Sequence, residues 1–518
     1  MTASISSERL KAENLKQLIP ENIRSVMQAV AASGFECYLV GGAVRDFLLG
    51  RTPADYDLAT NARPEETLKI CAASGLSTPD TPGRNFGCVT ICLDAKELEI
   101  TTFRGERYSS EDAHRPAETW YCQTLKEDLA RRDFTVNALA LDLDGRLYDF
   151  FAGLKDLNNK ILRTVGTPEI RYREDALRML RACRFTAQLG FIYVQDKALA
   201  APCGQSGSPY YLKHGFNFPV EHVRGLSLAR VREELEKLLL APYAGRGLML
   251  MMATGLLGSS CSRKNSGVEE QIPLLPEALH LLGLKQNPKF HIYDTWEHTL
   301  LAVDNSPRNL AVRWALLLHD LGKGLPEIRI ANKEGQPSDP GHEKRSAEMA
   351  AVILTRLGYS EEFVKLVVWL VAQHMRFAPM LVRGERTLTR WIRAEALSGT
   401  FKSEAAMAEA FSLLAEVFLA DMGATWARDN TALMAEGRAL GEQAVAIART
   451  RMPVSTKDLA VKGGELLSLL PQNELKETLT YLLQRVQSGN LPNEKNALIA
   501  AVRKNIGRLK RAAPPQDS

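Results

Sequence analysis

The chain has 518 residues, 45% of them hydrophobic and 24% charged, and a formal net charge of +4. That length exceeds one ordinary core and predicts two to four domains. No run approaches the roughly 18–20 apolar residues that a bilayer span needs, the opening MTASISSERLKAENLK lacks an apolar signal core, and the charge is too mild to demonstrate nucleic-acid binding. No membrane association is expected, and the eight scattered cysteines, without C-x-x-C spacing, fit a reducing cytoplasm.

In chain order, residues 1–34 read as a helical lead-in. From Cys37 to Phe151 strands mix with helices, the strands being CYLV, DYDLAT, CVTICLD, LEITTFR, ALALDLDG and LYDFF. After about Asn158 the period turns helical and stays so, with Ala176, Leu180, Cys183 and Ala187 forming one apolar stripe. Loops are expected near 201–211, 258–267 and 332–342. The predicted class is α+β, with an α/β head over 35–160, helical segments over 161–257 and 275–430, and a helical tail over 431–518. RKNIGRLKR, Arg503 to Arg511, makes that tail basic.

The most informative run is LVGGAVRDFLLGRTPADYDLAT, Leu39 to Thr60. It reads as a strand, a Gly41-Gly42 turn, a short helix, a loop, and a second strand carrying Asp55 and Asp57. Side chains at i and i+2 on a strand share a face. Two adjacent carboxylates repel unless a cation separates them. Beside a turn of phosphate size, that cation is Mg²⁺, which takes one or two carboxylates together with substrate phosphates. A D-x-D pair alone more often marks a solvated face; the ordered set with Arg45 and Asp46 is far more specific. It resembles the nucleotidyltransferase signature of the DNA polymerase β superfamily, in the form of the class II tRNA nucleotidyltransferases and poly(A) polymerases.

Further runs extend the pattern. Glu99, midway along LEITTFR, would add a third carboxylate from a neighbouring strand and complete a two-metal site. In LKEDLARRDFTVNALALD, Arg131 and Arg132 carry forked donors suited to a triphosphate; Asp133 can accept from a ribose hydroxyl, and Asn137 can donate and accept. R-R-D-F-T-x-N-A is close to the family's second motif. In REDALRMLRACRF, a helix would put Asp175 and Arg178 on one face, with Glu174 one turn before Arg178. By resemblance, E-D-x-x-R hydrogen-bonds the edge of the incoming base. A carboxylate accepts from the exocyclic amino group shared by C and A, and Arg donates to ring atoms. Arg181 and Arg184, on the same run, join the nucleotide-binding set with Gly41, Gly42 and Arg45.

The polar run from Phe103 to Cys122 resembles the loop that the family needs to switch to ATP after two C additions. SLARVREELEKLL, Ser227 to Leu239, resembles an S-x-E-R-I-x-x-E-L helix, with Ala229 in place of the usual Glu. The segment between Phe191 and Ser227 is longer than the family pattern.

The helical half holds His298, then His319-Asp320 in WALLLHDLGKG, then His342, His374 and Asp421. Imidazoles with carboxylates ligate first-row transition metals. The order H…HD…D resembles the HD phosphohydrolases. His298, His319, Asp320 and Asp421 are the expected ligands for Ni²⁺, Mn²⁺, Co²⁺ or Fe²⁺, and His342 and His374 for a second metal. His319 and Asp320 are read as neighbours on one helix.

The resemblance therefore implies a polymerase-β-like nucleotidyltransferase head, a helical neck, an HD-type body and a tail. It implies transfer of C, C and A from CTP and ATP to the 3′ end of tRNA, with Mg²⁺ at Asp55 and Asp57. The nearest alternative is a poly(A) polymerase; Asn85 in GRNFGCVTI, where that branch carries a second basic residue, weighs against it. A-only or CC-only addition, and an HD hydrolase whose head docks RNA, stay open, as does the oligomeric state.

Overall fold

Short β-branched and aliphatic runs in the first third build a mixed sheet. In this computed structural model, which describes residues 12–81, 84, 87–93, 96–108, 116–195, 203–204, 206–213, 216–265, 267–425 and 431–512, the chain forms two compact units, Met1–Leu279 and His280–Ser518.

In the first unit, β1 (Cys37–Val40), β2 (Asp57–Thr60), β3 (Cys88–Leu93), β4 (Lys96–Thr102), β5 (Arg104–Tyr108), β6 (Pro116–Tyr121), β7 (Leu139–Leu141) and β8 (Leu147–Asp149) follow in sequence. Six of them form one sheet in the order β3-β4-β2-β1-β7-β8. The β2–β4 pair is parallel, and the others are antiparallel. Val40, Ala59, Phe103, Leu129 and Ala140 pack into the core on this sheet. β5 and β6 pair as a separate two-stranded ribbon. The polar run read as a loop therefore has strand-like arms, and its residues 109–115 lie outside those described.

Beyond the sheet the unit turns helical, with helices over Pro168–Glu174, Leu177–Leu189, Leu228–Leu239 and Ala244–Ala253. The stripe Ala176, Leu180, Cys183 and Ala187 is fully buried, as its spacing predicts. Gly247 permits close helix contact there: a Cβ would stand 2.6 Å from the Cys183 carbonyl oxygen and 2.9 Å from the Ala187 Cβ. The helical period does not persist unbroken. Ser260–Asn265 and Val268–Pro273 form an antiparallel hairpin where a loop was expected, its register placing Arg263 opposite Glu270 as an ion pair at 2.6 Å while Ser262 donates to Glu269. A two-residue bridge, Ile330–Ala331 with Pro337–Ser338, likewise lies at the next expected loop.

The second unit is built from helices over Thr295–Asn305, Leu310–Leu318, His342–Arg356, Glu361–Gln373, Glu385–Leu397, Glu404–Thr425 and Thr431–Arg451. Trp296, Trp314, Phe377 and Phe411 are wholly buried or nearly so. Leu459, Leu466, Leu482, Val486, Leu498 and Val502 make a smaller core of their own near the C-terminus. Among the described residues no helix is long and apolar enough to cross a membrane.

Candidate active site and a buried histidine cluster

β1 ends at Val40, and the chain turns at Gly41 with φ 75° and ψ −131°, a region that L side chains avoid. A Cβ at Gly41 would stand 2.8 Å from Arg132 Nη1 and 4.0 Å from Asp57 Oδ2. Glycine here lets a guanidinium and a carboxylate face the turn. Gly42 opens the Gly42–Leu48 helix, and a Cβ there would meet no atom closer than 3.5 Å, so only the first glycine is sterically required.

Asp57 begins β2, opposite Val40 on one side and in parallel register with Glu99 of β4 on the other. The third carboxylate thus stands beside the second, as the alternation in LEITTFR predicts. Asp55 is not on the strand: the ladder starts at Asp57 because β1 has already turned at Gly41, which leaves Asp55 in the preceding loop without a pairing partner strand. Both still line one cavity with Glu99. Burial raises the Asp57 carboxyl above its ordinary value; Arg132 opposes this, and Glu99 and Asp55 add to it. Three carboxylates that line one cavity and repel one another are groups that could hold a divalent cation.

The cavity measures about 1160 Å³ and is lined by ten cationic and six acidic side chains. All fourteen residues placed by sequence in the transferase site line it, from Gly41 to Arg184. Most of its arginines arrive already bound. Arg45 donates to Asp46 at 2.8 and 3.0 Å and to Asn137 Oδ1 at 2.7 Å. Arg131 donates to Asp128 Oδ1 at 2.8 Å, while Arg132 reaches the other oxygen of Asp128 at only 3.4 Å. Asp133 accepts from Arg181 at 2.8 and 2.6 Å, from Asn137 at 3.0 Å and from the Phe134 N–H at 2.7 Å. Burial works against the Asp133 charge, but Arg181, Asn137 and that N–H outweigh it and bring its carboxyl down to about 2. With both oxygens so engaged, Asp133 braces the wall and has no lone pair set aside for a ribose.

Asp175 and Arg178 do not share one continuous helix. Asp175 ends the Pro168–Glu174 helix in an extended conformation, φ −141° and ψ 106°, and the next helix starts at Leu177. Its carboxylate accepts from the Leu177 N–H at 3.0 Å and so closes the break itself, an Asx-type contact that competes with helix continuation. Arg178 is buried and donates to Glu174 at 2.6 Å, to the Arg131 carbonyl at 2.9 Å and to the Arg171 carbonyl at 3.2 Å. The Glu174–Arg178 ion pair expected from spacing is present, but it spans the break.

Several lining or supporting residues were not singled out from sequence. Glu234 accepts from Arg184 Nε at 2.6 Å and ties the Leu177–Leu189 helix to Leu228–Leu239. It is the second Glu of the S-x-E-R-I-x-x-E-L-like run, so its signal was present. Ser227 caps that helix, accepting from the Arg230 N–H at 3.5 Å, and Arg230 stands 3.6 Å from Asp175. Phe185 lies under the Arg184 guanidinium at 4.1 Å. Asp128, fully buried, is the common anchor of Arg131 and Arg132. Gly83 and Asn85 lie outside the described residues, as do the side chains of 505–512 in the basic tail.

In the second unit all six expected ligands converge. His298 Nε2 is 3.0 Å from Asp421 and 3.6 Å from Asp320; His319 Nε2 is 3.2 Å from Asp320 and 3.6 Å from Asp421. His342 Nε2 is 3.2 Å from the other Asp320 oxygen, and the His374 ring lies 5.1 Å from that of His319. His319 is not within the helix: it follows Leu310–Leu318 as its cap, and Asp320 falls in the next turn.

Each imidazole donates Nδ1–H to a backbone carbonyl, His298 to Ala424, His319 to Leu316, His342 to Asp339 and His374 to Val371. This fixes ring orientation and turns all four Nε2 atoms inward, the arrangement by which outer partners orient metal ligands. Those four Nε2 atoms and both Asp320 oxygens are buried without hydrogen-bond partners. Orphaned polar atoms of this kind are costly unless a cation completes them. His298, His319 and Asp421, and likewise His319, Asp320 and His374, bring ligand atoms within 4.8 Å of one another. Burial opposes charge on Asp320, yet His319 and Lys323 hold its carboxyl well below the usual range, while burial pushes His374 down to about 3. His319 moves the other way, up to about 10, because Asp320 and Asp421 outweigh its burial. His291, unflagged by its sequence context, packs edge-on against His298.

A mixed sheet presenting clustered carboxylates to an arginine-lined cavity, in one chain with a histidine–aspartate cluster on helices, defines a nucleotidyltransferase head combined with an HD domain. Family models agree: "Poly A polymerase head domain" matches residues 37–163, "Probable RNA and SrmB- binding site of polymerase A" residues 220–259, and "HD domain" residues 291–408. A CCA-adding enzyme of Geobacillus thermodenitrificans is 33% identical over 363 residues, 64% of this chain and 83% of that one. A CCA-adding enzyme of Lactobacillus helveticus is 42% identical over 231 residues, where the match spans 45% of this chain and only 53% of the relative. Among solved structures, the Bacillus stearothermophilus CCA-adding enzyme in complex with CTP aligns with TM-score 0.56 and 25% identity, over 95% of this chain and 99% of that one. The chain belongs to the CCA-adding enzyme family.

Proposed function

We propose that this chain adds C, C and A, from CTP and ATP, to the 3′ end of tRNA without a nucleic-acid template. The observation that carries the reading is the parallel register of Asp57 with Glu99 beside Asp55, opposite a wall of arginines. The similar Bacillus stearothermophilus enzyme, whose structure is a complex with CTP, supports the nucleotide class. Asp55 and Asp57 would hold Mg²⁺, with Glu99 completing the acidic corner. Divalent metal bound there lowers the pKa of the attacking 3′-hydroxyl and offsets charge on the departing pyrophosphate.

The chain's own residues do the rest. Gly41 leaves room for triphosphate oxygens against Arg132, whose hold on Asp128 is long and easily exchanged. Arg45, Asn137, Asp133 and Arg181 form a continuous brace that keeps the cavity wall in place. Asp175, at the helix break, accepts from the exocyclic amino group of C or A, and Arg178 donates along the same edge. G and U present no amino donor at that position. The RNA would lie against the helical segment at 220–259 and the basic tail, held through phosphates. A cytoplasmic location is consistent with eight free cysteines.

Incubating the protein with tRNA ending at the discriminator base and each triphosphate separately tests this. CTP alone should extend the RNA by two residues, and ATP should add only after them. Incorporation of A without C, arrest after C, or long A tracts would assign the other family activities.

The second unit is proposed to bind a transition metal, Ni²⁺, Mn²⁺, Co²⁺ or Fe²⁺, through His298, His319, Asp320 and Asp421, with His342 and His374 serving a second ion. The six inward-facing orphaned atoms support it. Hydrolysis of 2′,3′-cyclic phosphates or small phosphoesters is the activity such a site suits.

A further inference from the structure

Five imidazoles, not four, meet at the buried cluster. His291 precedes the Thr295–Asn305 helix, and its ring stands edge-on to His298, with centroids 4.9 Å apart and planes at 85°. The four ligand histidines each use Nδ1 to fix themselves to a backbone carbonyl. His291 does not: its Nδ1 is buried without a hydrogen-bond partner. It also belongs to neither of the two groups whose ligand atoms converge. Its neighbours Phe290 and Ile292 are 44% and 49% exposed, so this segment is the rim where the cluster meets solvent. Lys323 reaches the same cluster, its ammonium 2.7 Å from Asp320 Oδ2 as an ion pair and donating to Gln286 at 2.9 Å. A ring nitrogen with no partner in the protein and an ammonium beside a metal-type cluster make a surface suited to phosphoryl oxygens, which are strong acceptors.

We propose that His291 is a substrate-binding residue of the histidine cluster, its Nδ1–H donating to a phosphoryl oxygen of a phosphate ester held at that site. This rests on the metal reading of the cluster given above.

The test uses the full-length protein loaded with Co²⁺, with metal content measured after gel filtration. Inorganic phosphate is then titrated in, followed by calorimetry and by the Co²⁺ absorption bands. His291→Phe keeps the ring packed on His298 without its nitrogens, and His291→Asn restores a donor near the Nδ1 position. The expected result is unchanged Co²⁺ content in both variants. Phosphate affinity should fall about tenfold or more in His291→Phe, the effect of losing one hydrogen bond to a charged group, and recover in large part in His291→Asn. Wild-type phosphate affinity in His291→Phe would overturn the proposal by making the ring a packing element. Loss of Co²⁺ from both variants would overturn it by making His291 a ligand. Wild-type protein that holds Co²⁺ but binds no phosphate refutes the substrate role alone, whereas wild-type protein that retains no Co²⁺ removes the metal reading and the proposal with it.

Discussion

Asp57, half-buried, and Asp133, buried, line the same cavity, yet their surroundings assign them opposite tasks. Asp57 faces Glu99 and Asp55, and its carboxyl is raised; Asp133 faces Arg181, and its carboxyl is lowered. Replacing Asp55 or Asp57 by Ala should cut nucleotide incorporation at least about a hundredfold, the scale of losing a principal electrostatic group. Thermal unfolding should be unchanged or shifted upward, since mutual repulsion is relieved. Incorporation near the wild-type rate in both variants would exclude the metal assignment. Asp133 behaves otherwise. Its folded value of about 2 lies below the ordinary 3.8, so it contributes stability that is fully present above 3.8 and is lost as pH falls through 2. That contribution is on the order of 2 kcal/mol at neutral pH. Asp133→Asn, which strands Arg181, should lower stability by about 3 kcal/mol at pH 7, and the gap from wild type should narrow between pH 4 and pH 2. A gap that does not change with pH in denaturant titrations would refute the ion-pair account.

At the scale of elements, the break between the Pro168–Glu174 and Leu177–Leu189 helices positions the two residues proposed to choose the base. Arg178, on the second helix, is tied across it to Glu174 and also to the Arg131 carbonyl. Arg178→Ala should therefore relax selection of C and A over U and G by about tenfold or more, while leaving triphosphate affinity nearly unchanged, as read from pyrophosphate inhibition. Full rate with intact rejection of UTP and GTP would rule out the templating role. The residues of this site were legible because they fall in contiguous motifs. The break was not: E-D-A-L-R-M-L is good helix sequence, and only the Asp175 carboxylate's contact with the Leu177 N–H ends it. Pairings between distant residues, Arg45 with Asn137 or Arg184 with Glu234, were equally invisible, since no spacing encodes them. The Ser260–Asn265 hairpin escaped notice because both its strands are polar and lack the alternation that marks a half-buried strand.

For the molecule as a whole, two donor sets of different chemistry occupy two compact units. The oxygen-only corner at Asp55, Asp57 and Glu99 suits a hard ion, and the imidazole-rich cluster a softer one. The double substitution His319→Ala/Asp320→Ala should abolish metal-dependent hydrolysis of 2′,3′-cyclic phosphates and leave nucleotide addition intact. Equal loss of both activities would mean that the cluster supports the transferase instead. The order H…HD…D and the flanking histidines were all readable in sequence. Their common orientation was not, because it depends on four carbonyls, at Ala424, Leu316, Asp339 and Val371, that no side-chain pattern reports.

Five arginines of the transferase cavity each pair with a carboxylate of the protein: Arg45 with Asp46, Arg131 with Asp128, Arg178 with Glu174, Arg181 with Asp133 and Arg184 with Glu234. The charge of these five is largely offset before any nucleotide arrives. They need not attract a passing anion to relieve their own repulsion, and an outgoing pyrophosphate leaves behind no uncompensated charge on them. If the chain loads three nucleotides in succession at one RNA end, as proposed, it gains from a pocket that lets go, and built-in counterions make letting go easy.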